Sequence, residues 1–310
     1  MEATWVILRH FLGIVPKDTE APEHPAAIFA ALRAPPRVTI LSVATSAHPD
    51  ATHPNKAPYL RGDRATKLRR FFSGAKLWIE MDQLPNPLSG DDREWAPSGV
   101  VAHEGKLWFF DLSWGLISCD PNVILPGLRF HDLPPGRRIH EPKPFIHTIR
   151  WIGVSNQMLR YVDIARDLDL DDRSRIAEKK VAIWTAIPDP DGGDCDYGIW
   201  WLKTYEMSFR EIWNDASYRE TMMPRMIPEI VLVNPKNPNV VYFFLRGSLF
   251  GVDVPGHRVV GFVKDAHKLV APGCRHCVLP WDLPPSIANG LVEPIVPFQE
   301  QSRSSTSGDE

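Results

Sequence analysis

The chain predicts an all-β fold: a propeller-like closed arrangement of short antiparallel meanders with a few short helices, a β-sandwich being the alternative. Three observations carry that expectation. Val100 to Pro121 reads VVAHEGKLWFFDLSWGLISCDP, apolar runs parted by turns at Glu104-Gly105 and near Trp114-Gly115. Bulky residues at successive positions suit strands covered on both faces. Proline supplies 30 of 310 residues, about twice the ordinary share, which shortens helices and central strands alike. Finally, Leu107-Trp108, Leu159-Arg160-Tyr161 and Val241-Tyr242-Phe243 echo one another. Their spacing is about 52 and then about 82 residues, so a further unit is expected in the second gap. Neither a recurring GH…WD pattern nor the regular Gly-Gly doublets of familiar blade repeats occur.

In chain order, Thr4 to Leu8 and Arg37 to Ala44 read as strands, with a short helix from Pro25 to Leu32 between them. Residues 46–58 read as loop. Asp63 to Phe72 reads as a helix with Asp63 as N-cap and Gly74 as stop. Strands are then expected at Lys76–Met81, Gly99–His103, Leu107–Leu112, Leu116–Cys119, Ile149–Val154 and Met158–Ile164. They continue at Lys180–Ile187, Gly198–Tyr205, Glu229–Val233, Val240–Leu245, Leu249–Val254 and Arg258–Val263. So many strands exceed one sandwich. Pro255-Gly256 suits the centre of a type II turn, and Ser208-Phe209-Arg210-Glu211 a capping box opening a helix. Residues 1–298 are expected to form one domain and the polar, Ser-rich residues 299–310 a disordered tail.

Apolar residues make up 44% of the chain, enough for a substantial core. A formal charge of −3 gives no general attraction to nucleic acid or an anionic membrane. The start, MEATWVILRHFLGIV, lacks the basic leader of a signal peptide, and no apolar run is long enough to cross a bilayer as a helix. Four cysteines in 310 residues make no disulfide framework. Together these point to the cytoplasm or nucleus.

Candidate chemistry is sparse. Cys274, His276 and Cys277, with His267 nearby, could hold zinc, but a second cysteine pair at similar spacing is missing. Asp189 to Asp196 resembles a calcium loop, yet Asp194 and Trp200 stand where glycine and glutamate are needed, so a solvated turn is the better reading. Asp167 to Asp172 reads the same way. Arg61, Arg64, Lys67, Arg69 and Arg70 form a basic cluster, read as the wet side of an amphipathic helix. Trp108, Trp114, Trp184, Trp200 and Trp201 are expected in the core. Asp111, Asp120, Asp163 and Asp253 fall at or near strand ends, where paired carboxylates could hydrolyse glycosides but more often bond turn amides. No GxSxG, P-loop or GxGxxG motif is present. Accordingly no catalytic, cofactor-binding or metal-ligating residue is assigned, and no cofactor is expected.

The segment GVVAHEGKLWFFDLSWGLISCDP followed by LRFHDLPPGR resembles the central motif of a plant family, expanded in grasses, described as domain of unknown function 1618. IRWIGVSNQMLRYVDIA, SFREIWNDASYRE, EIVLVNPKNPNVVYFFLRGSLFGVDVPGHRVV and LPWDLPPSI resemble its later segments in order, over about Trp95 to Pro285. Residues 46–75 replace a longer stretch of strands, so the N-terminal third departs from the family pattern. The resemblance implies a propeller-like fold similar to domains that follow F-boxes, and brings no catalytic set; no F-box is found here. The expected function is a non-enzymatic protein-interaction module with an unknown protein partner, in its narrower form a ubiquitin-ligase substrate adaptor. A glycosidase-like hydrolase and a truncated copy without stable function are the alternatives.

Overall fold

The computed structural model describes residues 98–121, 127–140, 145–165, 179–189 and 198–264, with residues 87, 88, 95, 123 and 266. It also gives, as backbone, strands β1 (Trp5–His10), β2 (Ile28–Ala30), β3 (Val38–Val43), β4 (Thr66–Phe72), β5 (Leu77–Leu84) and β18 (Val278–Asp282). Between them the chain folds into three successive four-stranded antiparallel meanders. The first holds β6 (Gly99–His103), β7 (Lys106–Asp111), β8 (Gly115–Cys119) and β9 (Leu128–Asp132). The second holds β10 (Arg150–Ser155), β11 (Met158–Ala165), β12 (Lys180–Pro188) and β13 (Ile199–Ser208). The third holds β14 (Glu229–Val233), β15 (Val240–Leu245), β16 (Ser248–Asp253) and β17 (Arg258–Val263). A fourth sheet has the order β18-β1-β3-β2, and β4 pairs with β5. The expected all-β class is what the structure has.

Local chemistry explains the tight connections. Glu104 (φ 48°) and Gly105 (φ 72°), Asn156 (49°) and Gln157 (56°), and Arg246 (45°) and Gly247 (89°) each supply two left-handed residues. Such turns match the right-handed twist of the strands they join. The helix α1 (Phe209–Asn214) starts at the predicted capping box: Ser208 N donates to Glu211 Oε2 at 2.7 Å and Glu211 N to Ser208 Oγ at 3.4 Å. A second helix, α2 (Ala216–Glu220), follows at once, capped by Asp215.

Both faces of each meander are used. Trp108, Leu112, Leu116 and Leu133 of the first pack against Ile152, Leu159, Tyr161, Trp184 and Trp201 of the second. Val162, Ile164, Val181 and Ile183 meet Ile230, Val241, Phe243 and Phe250 of the third, with Phe209, Ile212, Trp213 and Tyr218 of the helices in the same cluster. The leading strands lie side by side, β10 next to β6 and β14, and β14 next to β18.

Several expectations are corrected. Residues 66–72 form β4, not a helix, and residues 28–30 form β2 where a helix was expected. In β4 the pairing with β5, which sets Arg69 opposite Glu80 and Phe71 opposite Trp78, overrides local helix preference. Among the described residues the long second gap holds no extra unit: β7, β11 and β15 are the second strands of consecutive sheets, and the gap holds β12, the long β13 and both helices. At Pro255-Gly256 the positive φ falls on His257 (54°), so the turn is not type II. Two strands, β9 and β18, went unread; Pro280 within β18 is accommodated because that strand lies at a sheet edge. Residues 46–58, 167–172 and 299–310 lie outside the described residues.

A methyl group at Gly115 would stand 2.5 Å from the main-chain oxygen of His131, which cannot swing aside. Gly115→Ala should therefore lower stability by about 1–3 kcal/mol in urea unfolding. Hydrogen bonds from the Ser208 main chain and hydroxyl hold the Glu211 carboxyl below its ordinary 4.5. The stabilisation lost in Glu211→Gln is thus fully present above pH 4.5 and disappears as pH falls through the lower folded-state value. Urea midpoints of the two proteins should converge in acid.

Candidate functional site

The leading strands enclose a cavity of about 570 Å³. Its walls come from β6, β10 and β14, with Phe110 from β7 and Pro280 from β18. Two contacts set its shape at one end, where Asn156 N donates to Pro235 O at 2.7 Å and Ser155 Oγ to Asn234 O at 2.5 Å. They tie the β10–β11 turn to the β14–β15 turn. Val101, Phe110, Trp151, Ile152 and Val231 make the lining largely apolar; Ser98, His147, Arg150, Asn156, Gln157 and Lys236 supply its polar groups. No carboxylate is among the described lining residues.

Arg150, the first residue of β10, is only 7% exposed. Its Nη1 donates to Leu112 O at 2.7 Å and Arg137 O at 2.8 Å, pinning the second meander to the first. In the sheet it sits opposite Asp163 of β11. The Asp163 carboxylate is buried and forms an ion pair with Arg137 Nε at 2.7 Å, while the Arg137 guanidinium lies 5.7 Å from the Trp184 ring centre. Burial is the largest influence on Asp163 and pushes its pKa up; Arg137, Arg150 and the Trp184 indole pull it back. Burial likewise holds the neighbouring Tyr161 phenol well above its ordinary range. The one carboxylate between the meanders is thus paired with Arg137, and Arg150 acts on it only through its nearby charge.

A second feature lies on β13, the last strand of its sheet. Trp201 is buried and its Nε1 donates to Asp132 O at 2.8 Å. Trp200 and Leu202, on the alternate face, are 57% and 52% exposed. The expectation that Trp200 packs in the core is therefore wrong. Covering by neighbours does not extend to that face of the edge strand. A register shift opposite Ile183 and Trp184 then reverses the alternation, which lets Met207 enter the core.

The other candidates scatter. Asp111 ends β7 and accepts from Ser113 N at 2.8 Å; Asp253 ends β16 and accepts from Gly256 N at 3.2 Å. Asp120 follows β8. Asp163 lies two residues before the end of β11. Asp111 and Asp120 belong to the first meander, Asp163 to the second and Asp253 to the third, and the structure assigns no pair of them to one site. Trp108, Trp114 and Trp184 are buried as expected, and Cys119 is buried in β8. Lys67, Arg69 and Arg70 fall on β4, so the helical face expected of them is not formed. Arg61, Arg64, residues 190–197, His267, Cys274, His276 and Cys277 lie outside the described residues. No cluster of metal-ligating groups occurs among the described residues, and no described helix is long and apolar enough to cross a membrane. Arg137 and Arg150 were missed. The readable trace was an arginine heading the apolar run RWIGV.

Removing one member of the charged cluster exposes what it does. Asp163→Ala should destabilise the protein by about 2–4 kcal/mol, because it leaves the partly buried Arg137 without its ion-pair partner and the buried Arg150 without a nearby counter-charge. Chemical denaturation measures the loss directly.

No curated protein matches the chain. Among solved structures, the crystal structure of Citrobacter koseri AztD aligns over 67% of this chain at 12% identity and a TM-score of 0.27. The alignment covers 46% of that structure, so the chain spans less than half its length. A family model described as "Protein of unknown function (DUF1618)" matches residues 108–242, from β7 to β15. Through that segment, which holds most of the first meander, all of the second and both helices, the chain is similar to the DUF1618 family.

Proposed function

We propose that this chain is a non-enzymatic protein-interaction module, a rigid propeller-like β scaffold that presents one edge to another protein. The observation that carries the reading is the pair Trp200 and Leu202, exposed side by side on the outermost strand of the second meander. Large aromatic and aliphatic groups on an accessible strand edge offer apolar contact area together with main-chain hydrogen-bonding groups, the two requirements for pairing with an extended segment. The acidic residues that a hydrolase would need support the same reading. Asp111 and Asp253 bond turn amides, Asp163 is engaged with Arg137, and none lines the cavity.

The test compares tagged full-length wild type with Trp200→Ser/Leu202→Ser in extract of the source organism, with quantitative mass spectrometry. One near-stoichiometric partner should be captured by wild type and reduced about tenfold or more by the double variant, at unchanged thermal stability. A ligase scaffold recovered with it would support the narrower reading as a substrate adaptor. Equal capture by both proteins, or hydrolysis of a glycoside panel by the purified chain, would overturn the proposal.

A further inference from the structure

We infer that the cavity between β6, β10 and β14 binds a small organic carboxylate carried on an apolar body. Its volume, about 570 Å³, is that of a small-molecule pocket rather than of a packing defect. The chemistry of its lining is one-sided, with Arg150, His147 and Lys236 set among apolar walls and no carboxylate among the described lining residues.

Arg150 is the group that selects the ligand. Its charge is buried yet forms no ion pair with a described residue, since the nearby Asp163 carboxylate is taken by Arg137. Both of its hydrogen bonds leave from Nη1, to the carbonyls of Leu112 and Arg137. That anchoring fixes the plane of the guanidinium and leaves the Nε–Nη2 edge, the edge whose two parallel N–H groups match the two oxygens of a carboxylate. A buried cation lacking a full counter-charge is costly, and a bound anion relieves that cost. Trp151 and Phe110 on the cavity wall offer flat apolar surface for the rest of the molecule. A compact anion without such a body would satisfy Arg150 alone and leave this surface wet. The site is distinct from the Trp200 edge and could operate with or without a protein bound there.

Isothermal titration of the full chain with 1-naphthoate and with its uncharged analogue 1-naphthamide tests the inference. Naphthoate should bind saturably at one site, and the amide about tenfold or more weakly, the ratio expected for losing a charged hydrogen-bonded pair. Arg150→Lys keeps the charge but loses the fork, and should weaken naphthoate by a similar factor. Because Arg150 also pins two meanders, a second variant guards against misfolding. Ala102 is exposed and lines the cavity, so Ala102→Trp should fill it and abolish binding with the melting temperature unchanged. Equal affinity for acid and amide, undiminished binding by Ala102→Trp, or no saturable heat up to about 10 mM naphthoate would each overturn the inference.

Discussion

A sheet with apolar side chains on both faces has two surfaces to hide, and each demands a neighbour. In β8 all five residues are buried, and in β15 all six. Such strands are stable only when sheets stand against one another, so the rest of the architecture follows from this requirement. The first meander covers one face of the second, while the third meander and the two short helices cover the other. The leading strands are brought together by the same stacking, and the cavity is the space they leave. At the far end of the second meander the stacking gives out, and Trp200 and Leu202 meet solvent there.

Polar groups inside this arrangement act across sheet boundaries rather than within sheets. Arg150 reaches from β10 to the carbonyls of Leu112 and Arg137, and Trp201 reaches from β13 to that of Asp132. Val259 N in β17 donates to Ser217 Oγ of α2 at 2.7 Å, which fastens the helical pair to the third meander. Apolar contact alone tolerates sliding between faces, whereas each directed bond of this kind is satisfied in one alignment only. The meanders are therefore held in register as well as held together.

Much of the β-structure was legible because local rules and long-range packing agree there. Turn residues such as Glu104-Gly105 mark hairpins, and the strands from 99 to 119 need no tertiary help to be recognised. The capping box at Ser208 was readable for the same reason. The reading failed where distant partners decide. Residues 66–72 carry a helix-like pattern but find β5 as a partner, and Pro280 disguises β18 until β1 is known to lie beside it. The sites were less legible than the fold. Adjacent tryptophans at 200 and 201 are chemically identical in a sequence, and only the position of β13 at a sheet edge separates a buried ring from an exposed one. Likewise nothing in a string of letters says that Asp163 is already engaged by Arg137, which is what makes Arg150 distinctive.

The fourth sheet joins strands from opposite ends of the sequence, with Trp5 of β1 opposite Asp282 of β18 and Ile7 beside Val38 of β3. On the ribosome, β1 emerges long before β18, its partner on one side. Until β18 is made, that flank of β1 is an open template for whatever strand comes by, and the contact that completes the sheet carries a large loop-closure cost. Newly made chains are thus most vulnerable to mispairing in the interval before β18 is released. Shielding of β1 during that interval, by a chaperone for example, would raise the yield of folded protein without altering its final stability.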